Sequence, residues 1–161
     1  LQGPNGEWPW FFDAKDGRVI DFYEVYSVHQ YGMAPAFLEL AQHYGVPNAR
    51  DALIGGFKWV LGDNQLGRPM LVPTLCLSIR SQVRRGEVHT KRLRMLRAIH
   101  NTILKRDADL VEPGHLQLRL ECRSYEWGWL LWSFGRRSDL PQLTHNQIFV
   151  EALQRPGSFA A

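Results

Sequence analysis

The stretch from Gly6 to Pro35, GEWPWFFDAKDGRVIDFYEVYSVHQYGMAP, constrains this chain more than any other. It gathers Trp8, Trp10, Phe11, Phe12, Tyr23, Tyr26 and Tyr31 into one run with Asp13, Asp21, Glu24, His29 and Gln30. A core segment needs apolar volume and gains nothing from acids, an imidazole and an amide. Rings interleaved with titratable groups suit the rim of a cleft. The rest of the chain is then expected to form the wall behind it.

Local patterns predict how that wall is built. Aromatic and β-branched residues flank Asp16-Gly17, a pair that supplies the positive φ of a tight turn, so WFFDAK and RVIDFYEV are expected to form a hairpin over a cavity. Ser27 and Gln30 have capping-box spacing and open a helix to about Tyr44, with Pro35 kinking its first turn and Gly45 ending it. Asn48 is expected to cap a second helix, Ala49 to Leu61, with an apolar stripe of Ala52, Leu53, Phe57, Val60 and Leu61. Further helices are expected over Leu75 to Val83, over Thr90 to Leu104 with Leu93, Leu96, Ile99 and Ile103 opposite the bases, over Cys122 to Phe134 and over Leu143 to Leu153, capped at Thr144. The Cys122 to Phe134 segment is apolar nearly all round, as an inner wall would be. Together these predict an all-α architecture of antiparallel helical hairpins with a small β-hairpin near the N-terminus, in a single domain over 1–161: hairpin about 8–25, helical wall about 27–153, tail 154–161.

Composition narrows the functional classes. At 161 residues and 45% hydrophobic, the chain has material for one sizeable core. No run approaches the ~18 apolar residues of a membrane helix and no basic-then-apolar leader is present, so no membrane span and a soluble, cytoplasmic chain are expected. Leu1 in place of an initiator Met suggests a chain that starts inside a larger protein. Cys76 and Cys122 are too few and too far apart for a disulfide framework or a zinc pattern; they are expected as buried thiols in a reducing compartment. The net charge of +3 hides a concentration of bases. Arg80, Arg84, Arg85, Lys91, Arg92, Arg94, Arg97, Lys105 and Arg106 face the single acid Glu87 across that run. No rings interleave there as single-strand binding wants, so a solvated helix face is expected, with no nucleic-acid partner. Neither a Gly-x-Ser-x-Gly elbow nor a phosphate-binding or dinucleotide-binding glycine loop occurs, and no cofactor and no metal are expected.

Two sets of residues resemble known families. Gln2 to Trp8, QGPNGEW, is similar to the Gln-to-Gly-x-Trp repeats of prenyltransferase and terpene-cyclase α/α toroids, whose catalytic Asp-rich cluster is missing here. The run GEWPWFFD…GRVIDFYEVYSVHQYGMAP, with ECRSYEWGWLLWSFG near the end, resembles bacterial α/α-toroid proteins related in shape to six-hairpin glycosidases. Those proteins often accompany polysaccharide genes and mostly lack an assigned reaction. The resemblance implies the last third to half of an α/α toroid and a carbohydrate ligand.

The site residues follow from that chemistry. Rings lie against the C–H faces of sugars, a role open to Trp8, Trp10, Tyr23 and Tyr31, while amides and acids such as Gln30 and Glu126 bond the hydroxyls. Asp13 and Glu24 flank the hairpin turn as a possible acid pair for hydrolysis, which needs two carboxylates ~5–10 Å apart, with Asp21 or Glu126 as the alternative partner. Tyr26 and His29, three residues apart, are the pair that β-elimination would use, His29 being neutral near pH 7 and able to act as a base. Against these stand the structural roles: tryptophans packing the hairpin down, His29 bonding a loop, Glu126 paired with Arg123 or Arg119. The expected function is a carbohydrate-processing protein acting on a polysaccharide. The alternatives are a non-catalytic glycan-binding or assembly protein and a prenyl- or terpenoid-processing one; the oligomeric state is open.

Overall fold

The structure is a computed structural model and describes residues 1–87, 92–135, 137, 139, 140, 147 and 150. Its elements, in chain order, are strands β1 (Phe11–Phe12), β2 (Val19–Asp21) and β3 (Val25–Tyr26), and helices α1 (Ala34–His43) and α2 (Ala49–Leu61). Strands β4 (Leu71–Val72), β5 (Leu77–Ser78) and β6 (Ser81–Arg84) follow, then helix α3 (Arg92–Leu104), strand β7 (Leu116–Arg119) and helix α4 (Glu126–Phe134). Strands β1 and β2 pair antiparallel, as do β4 and β5, and β3, β6 and β7 form a third sheet with β6 in the centre.

This mixed α and β architecture overturns the all-α expectation and the toroid resemblance with it. The decisive segment is Leu75 to Val83, expected as a helix. Pro73–Leu75 form a 3-10 turn and Cys76 sits at φ 50, which ends any right-handed helix. The chain then runs as β5 and β6, with Ser81, Gln82, Val83 and Arg84 all buried because β6 has a neighbour on each side. Ser81 and Arg84 survive there by finding distant partners in Glu24 and Asp21, which no local pattern reveals, whereas the Gln82 amide is buried without a side-chain partner among the described residues.

Elements with strong local signals form where expected. The Asp16-Gly17 turn closes β1 on β2, with Gly17 at φ +76 and the Gly17 amide donating to the Asp13 carbonyl at 2.8 Å. Helix α2 buries Leu53, Phe57, Trp59 and Val60, and Phe57 stacks on Phe134 of α4 at 4.0 Å. Asn48 starts α2 through its left-handed backbone, at φ 61, and makes no side-chain cap. Ser27 is likewise no cap: its hydroxyl donates to the Ile79 carbonyl at 2.6 Å. Between Ser27 and α1 the backbone widens into a π-helical turn, His29–Met33, in which the Ala34 amide bonds the His29 carbonyl.

Two helices face the other way from expectation. In α3 the buried residues are Arg94 and Ala98, whereas Leu93, Leu96, Ile99 and Ile103 are exposed. In α4 Glu126, Leu130 and Phe134 are buried while Trp129 and Trp132 are exposed, so it is no all-round inner wall. The run of bases is a solvated face only in part: Arg85, Arg92, Lys105 and Arg106 are exposed, but three others turn inward to acids. Arg84 pairs with Asp21 at 2.8 Å, Arg94 with Glu24 at 3.1 Å and Arg97 with Glu87 at 2.6 Å. Cys76 and Cys122 are free and half-buried, not buried. Among the described residues no helix is long and apolar enough to cross a membrane. Thr90 and Lys91, the expected helix Leu143 to Leu153 with its cap at Thr144, and the tail lie outside the described residues, apart from 147 and 150.

Candidate functional site

The N-terminal segment is pinned before it reaches the hairpin. Gln2 donates from one amide nitrogen to the carbonyls of Gly6 and Ala52, both at 2.7 Å. Glu7, fully buried, accepts from Gln65 at 2.7 Å and from the Asn5 amide at 2.8 Å. Trp8 and Trp10 are therefore delivered to one side of the π-helical turn and α1. Between them lies a cleft of about 440 Å³, lined by Leu1, Trp8, Pro9, Trp10, Phe12, His29, Met33, Ala34 and Phe37. That volume falls in the ~300–1,000 Å³ range of small-molecule sites.

Trp10 is the ring the cleft presents. It is 46% exposed, lies flat on His29 with centroids 4.7 Å apart and planes at 16°, and has Tyr26 against it at 5.6 Å. Trp8 packs edge-on to Phe37 at 5.2 Å and forms the opposite wall. His29, only 8% exposed, has its pKa brought down to about 4 by burial, against which the Trp8 backbone and the Glu24 charge pull more weakly. It is a neutral ring at pH 7 and a flat support for the indole.

That burial has a measurable consequence. The unfolded chain binds a proton at His29 below pH ~6.5 and the folded protein does so only near pH 4, so stability is full above ~6.5 and falls as pH drops between the two values. The loss is about 3 kcal/mol from this group. Urea unfolding of wild type and His29→Gln at pH 7 and pH 4.5 checks it, the variant being expected to show the shallower fall. Ring-proton NMR signals that titrate near pH 6.5 would refute the burial.

The acids expected beside these rings are not in the cleft lining. Glu24, 2% exposed, accepts from the Tyr26 hydroxyl at 2.8 Å, from Ser81, from Arg94 at 3.1 Å and from Arg119 at 3.3 Å. Burial pushes its pKa up most strongly, but the Ser81 and Tyr26 hydrogen bonds and the charges of Arg119 and Arg94 together hold it below the ordinary glutamate value. Asp13 closes the hairpin turn, accepting from the Lys15 amide at 2.9 Å and pairing with Arg18 at 3.3 Å. The two carboxylates belong to separate networks, Asp13 with Arg18 at the turn and Glu24 with Arg94 and Arg119 in the interior. Asp21 is buried against Arg84, its pKa raised by burial despite that pairing.

The other expected contacts have structural surroundings. Gln30 is a bracket: its oxygen accepts from the Trp8 amide at 3.1 Å and its nitrogen donates to the Tyr26 carbonyl at 2.9 Å. Tyr23 is fully buried beneath the Arg84 guanidinium, its pKa pushed up to about 12 by burial. Tyr31 bonds Ser78 at 2.8 Å in the interior, where burial raises its pKa, as it does that of neighbouring Glu126, partly offset there by a Tyr31 hydrogen bond. Glu126 is thus buried beside Tyr31 and Ser78, without a salt bridge to Arg119 or Arg123 among the described residues.

Of the expected set, the structure brings Trp8, Trp10 and His29 to the cleft, sets Tyr26 at its edge with Glu24 behind, and leaves Asp13, Tyr23, Gln30, Tyr31 and Glu126 elsewhere. Sequence reasoning placed Phe12 among the rim rings but missed Met33 and Phe37 as lining and Ser81, Arg94 and Arg119 as the cradle of Glu24. Met33 and Phe37 fall in a helix pattern that reads as core; the last three carry no local signal. Among the described residues no group of three or more His, Cys, Asp or Glu is placed to hold a metal ion. No protein-family model, curated protein or solved structure matches the chain.

Proposed function

We propose that the cleft holds carbohydrate, with Trp10 as the platform, and that binding is its role in preference to hydrolysis. The observation that supports this is the stack of half-exposed Trp10 on neutral His29, which holds one indole face in a fixed plane at the lining of the cleft. An immobilised ring loses little entropy when a sugar's apolar C–H face lies on it, and the area buried there favours binding. Hydrolysis is disfavoured because Asp13 and Glu24 are bound up in ion pairs away from the lining. β-Elimination is the second reading, favoured by the contact of the Tyr26 and His29 rings at 5.2 Å.

Trp10→Ala is expected to weaken binding of the best oligosaccharide on a glycan array by more than tenfold, with little change in the urea midpoint, since the ring is half in solvent. An array on which wild type retains no oligosaccharide, or a Trp10→Ala variant that binds as wild type does, would sink the proposal. Release of an unsaturated sugar, abolished by His29→Ala, would replace binding by elimination. Retention of an isoprenoid in place of any sugar would point to the apolar walls as the working surface.

A further inference from the structure

We propose that the saccharide taken at the cleft is acidic, with its carboxylate or sulfate received by Arg80 and Arg119 beside Tyr26; this rests on the carbohydrate reading above. Tyr26 marks the edge of the aromatic rim, touching Trp10 and His29. The guanidinium of Arg80 also lies against it, 5.4 Å from its ring centroid. Arg80 donates to Glu121 at 3.2 Å, Arg119 donates to the other oxygen of Glu121 at 2.8 Å, and Arg119 and Arg94 both reach Glu24. Three guanidinium groups thus share these two carboxylates, with the buried Glu126 carboxyl also in electrostatic reach of Arg80, and Arg123 adds a further positive charge near Glu121.

Arg80 and Arg119 are 18% and 19% exposed, so an anion would reach them only along the edge where Glu121 stands. Glu24 is sealed, but Glu121 is 41% exposed and bridges the two arginines from the solvent side. Arg80 makes that single side-chain hydrogen bond among the described residues; its Nε is buried without a partner, so the terminal nitrogens are the donors left for a ligand. A planar carboxylate or a sulfate suits the guanidinium fork, where a neutral hydroxyl gains much less. His29 is neutral at pH 7, so the positive potential at this edge comes from the arginines. A sugar ring on Trp10 with an acidic neighbour toward Tyr26 uses both features at once.

The test is a tryptophan-fluorescence titration of the full chain with a galacturonic-acid tetrasaccharide, its carboxyl-reduced neutral counterpart and a sulfated tetrasaccharide. At least one acidic ligand is expected to bind ten times or more tighter than the neutral one, with the gap narrowing as salt is raised. The stronger of the two tells carboxylate from sulfate. Arg80→Gln is expected to bring the acidic-to-neutral ratio below threefold. Glu121→Gln, which removes the competing carboxylate, is expected to raise it, a gain that misfolding cannot imitate. A wild-type ratio near one, with the neutral ligand bound, would overturn the acidic preference and leave the cleft reading standing. No binding of any of the three would overturn both.

Discussion

Glu24→Ala is expected to lower the unfolding free energy by about 3–5 kcal/mol, the range for removing one partner of a buried ion pair. The carboxylate is 2% exposed and holds Arg94, Arg119, Ser81 and Tyr26, which come from α3, β7, β6 and β3. Without it the guanidinium of Arg94 stays buried with no counter-charge, and the β3, β6 and β7 sheet loses the group that ties it to α3. Glu24→Gln keeps an acceptor and is expected to recover part of the loss. The pH dependence has a definite sign: the folded pKa lies below the ordinary value near 4.5, so this contribution is full above that value and is lost as pH falls through the lowered one. Urea unfolding at pH 7 checks the magnitude. A midpoint within error of wild type would mean that Glu24 is a spectator of the fold and would return it to the list of reactive groups.

Gly6→Ala is expected to cost about 4 kcal/mol and to dismantle the cleft. Gly6 sits at φ +89, where an L side chain is strained by ~1–3 kcal/mol. A Cβ there would stand 2.2 Å from the Gly55 carbonyl oxygen and 2.4 Å from its carbon. Those are backbone atoms of α2 and cannot swing aside, so overpacking adds another ~1–3 kcal/mol. The relief available is for the N-terminal segment to lift off α2, breaking the Gln2 bond to the Ala52 carbonyl and releasing Trp8 and Trp10. The variant should therefore lose saccharide binding together with stability, whereas Trp10→Ala should lose binding alone. Equal stability of Gly6→Ala and wild type by thermal unfolding would show that the close approach of the two glycines is not required.

The contrast between α2 and α3 shows what could be read from the chain and what could not. Helix α2 has its apolar stripe turned inward and forms over the expected residues, because its period and the glycine at its end act within a few residues of one another. Helix α3 has an equally good stripe and presents it outward, with Ile103 at 72% exposure, while Arg94 points into the protein. The reason lies 70 residues away: buried Glu24 requires a counter-charge, and Arg94 supplies it. A hydrophobic period states that a helix has two faces; which face is buried depends on what it meets.

The candidate site divides along the same line. That Trp8, Trp10, Tyr26 and His29 would lie close together was legible, since turns and short separations hold them within one stretch. That Glu24 would be locked behind Tyr26, that Asp13 would serve its own turn and that Tyr31 and Glu126 would be interior was not legible, because burial and charge pairing are set by residues remote in the chain. The same physics made the toroid resemblance misleading. Strands of two to four residues, such as β5, β6 and β7, have almost no intrinsic preference and exist only through their ladders, so Ser81 pairs with both Tyr26 and Arg119 across long separations. The hairpin turn, helix α2 and the gathering of rings were thus written in neighbouring residues, where local sterics and periodicity act. The partner of each buried charge, the outward face of α3 and the mixed α and β architecture arose only on folding, where desolvation forces distant groups to find one another.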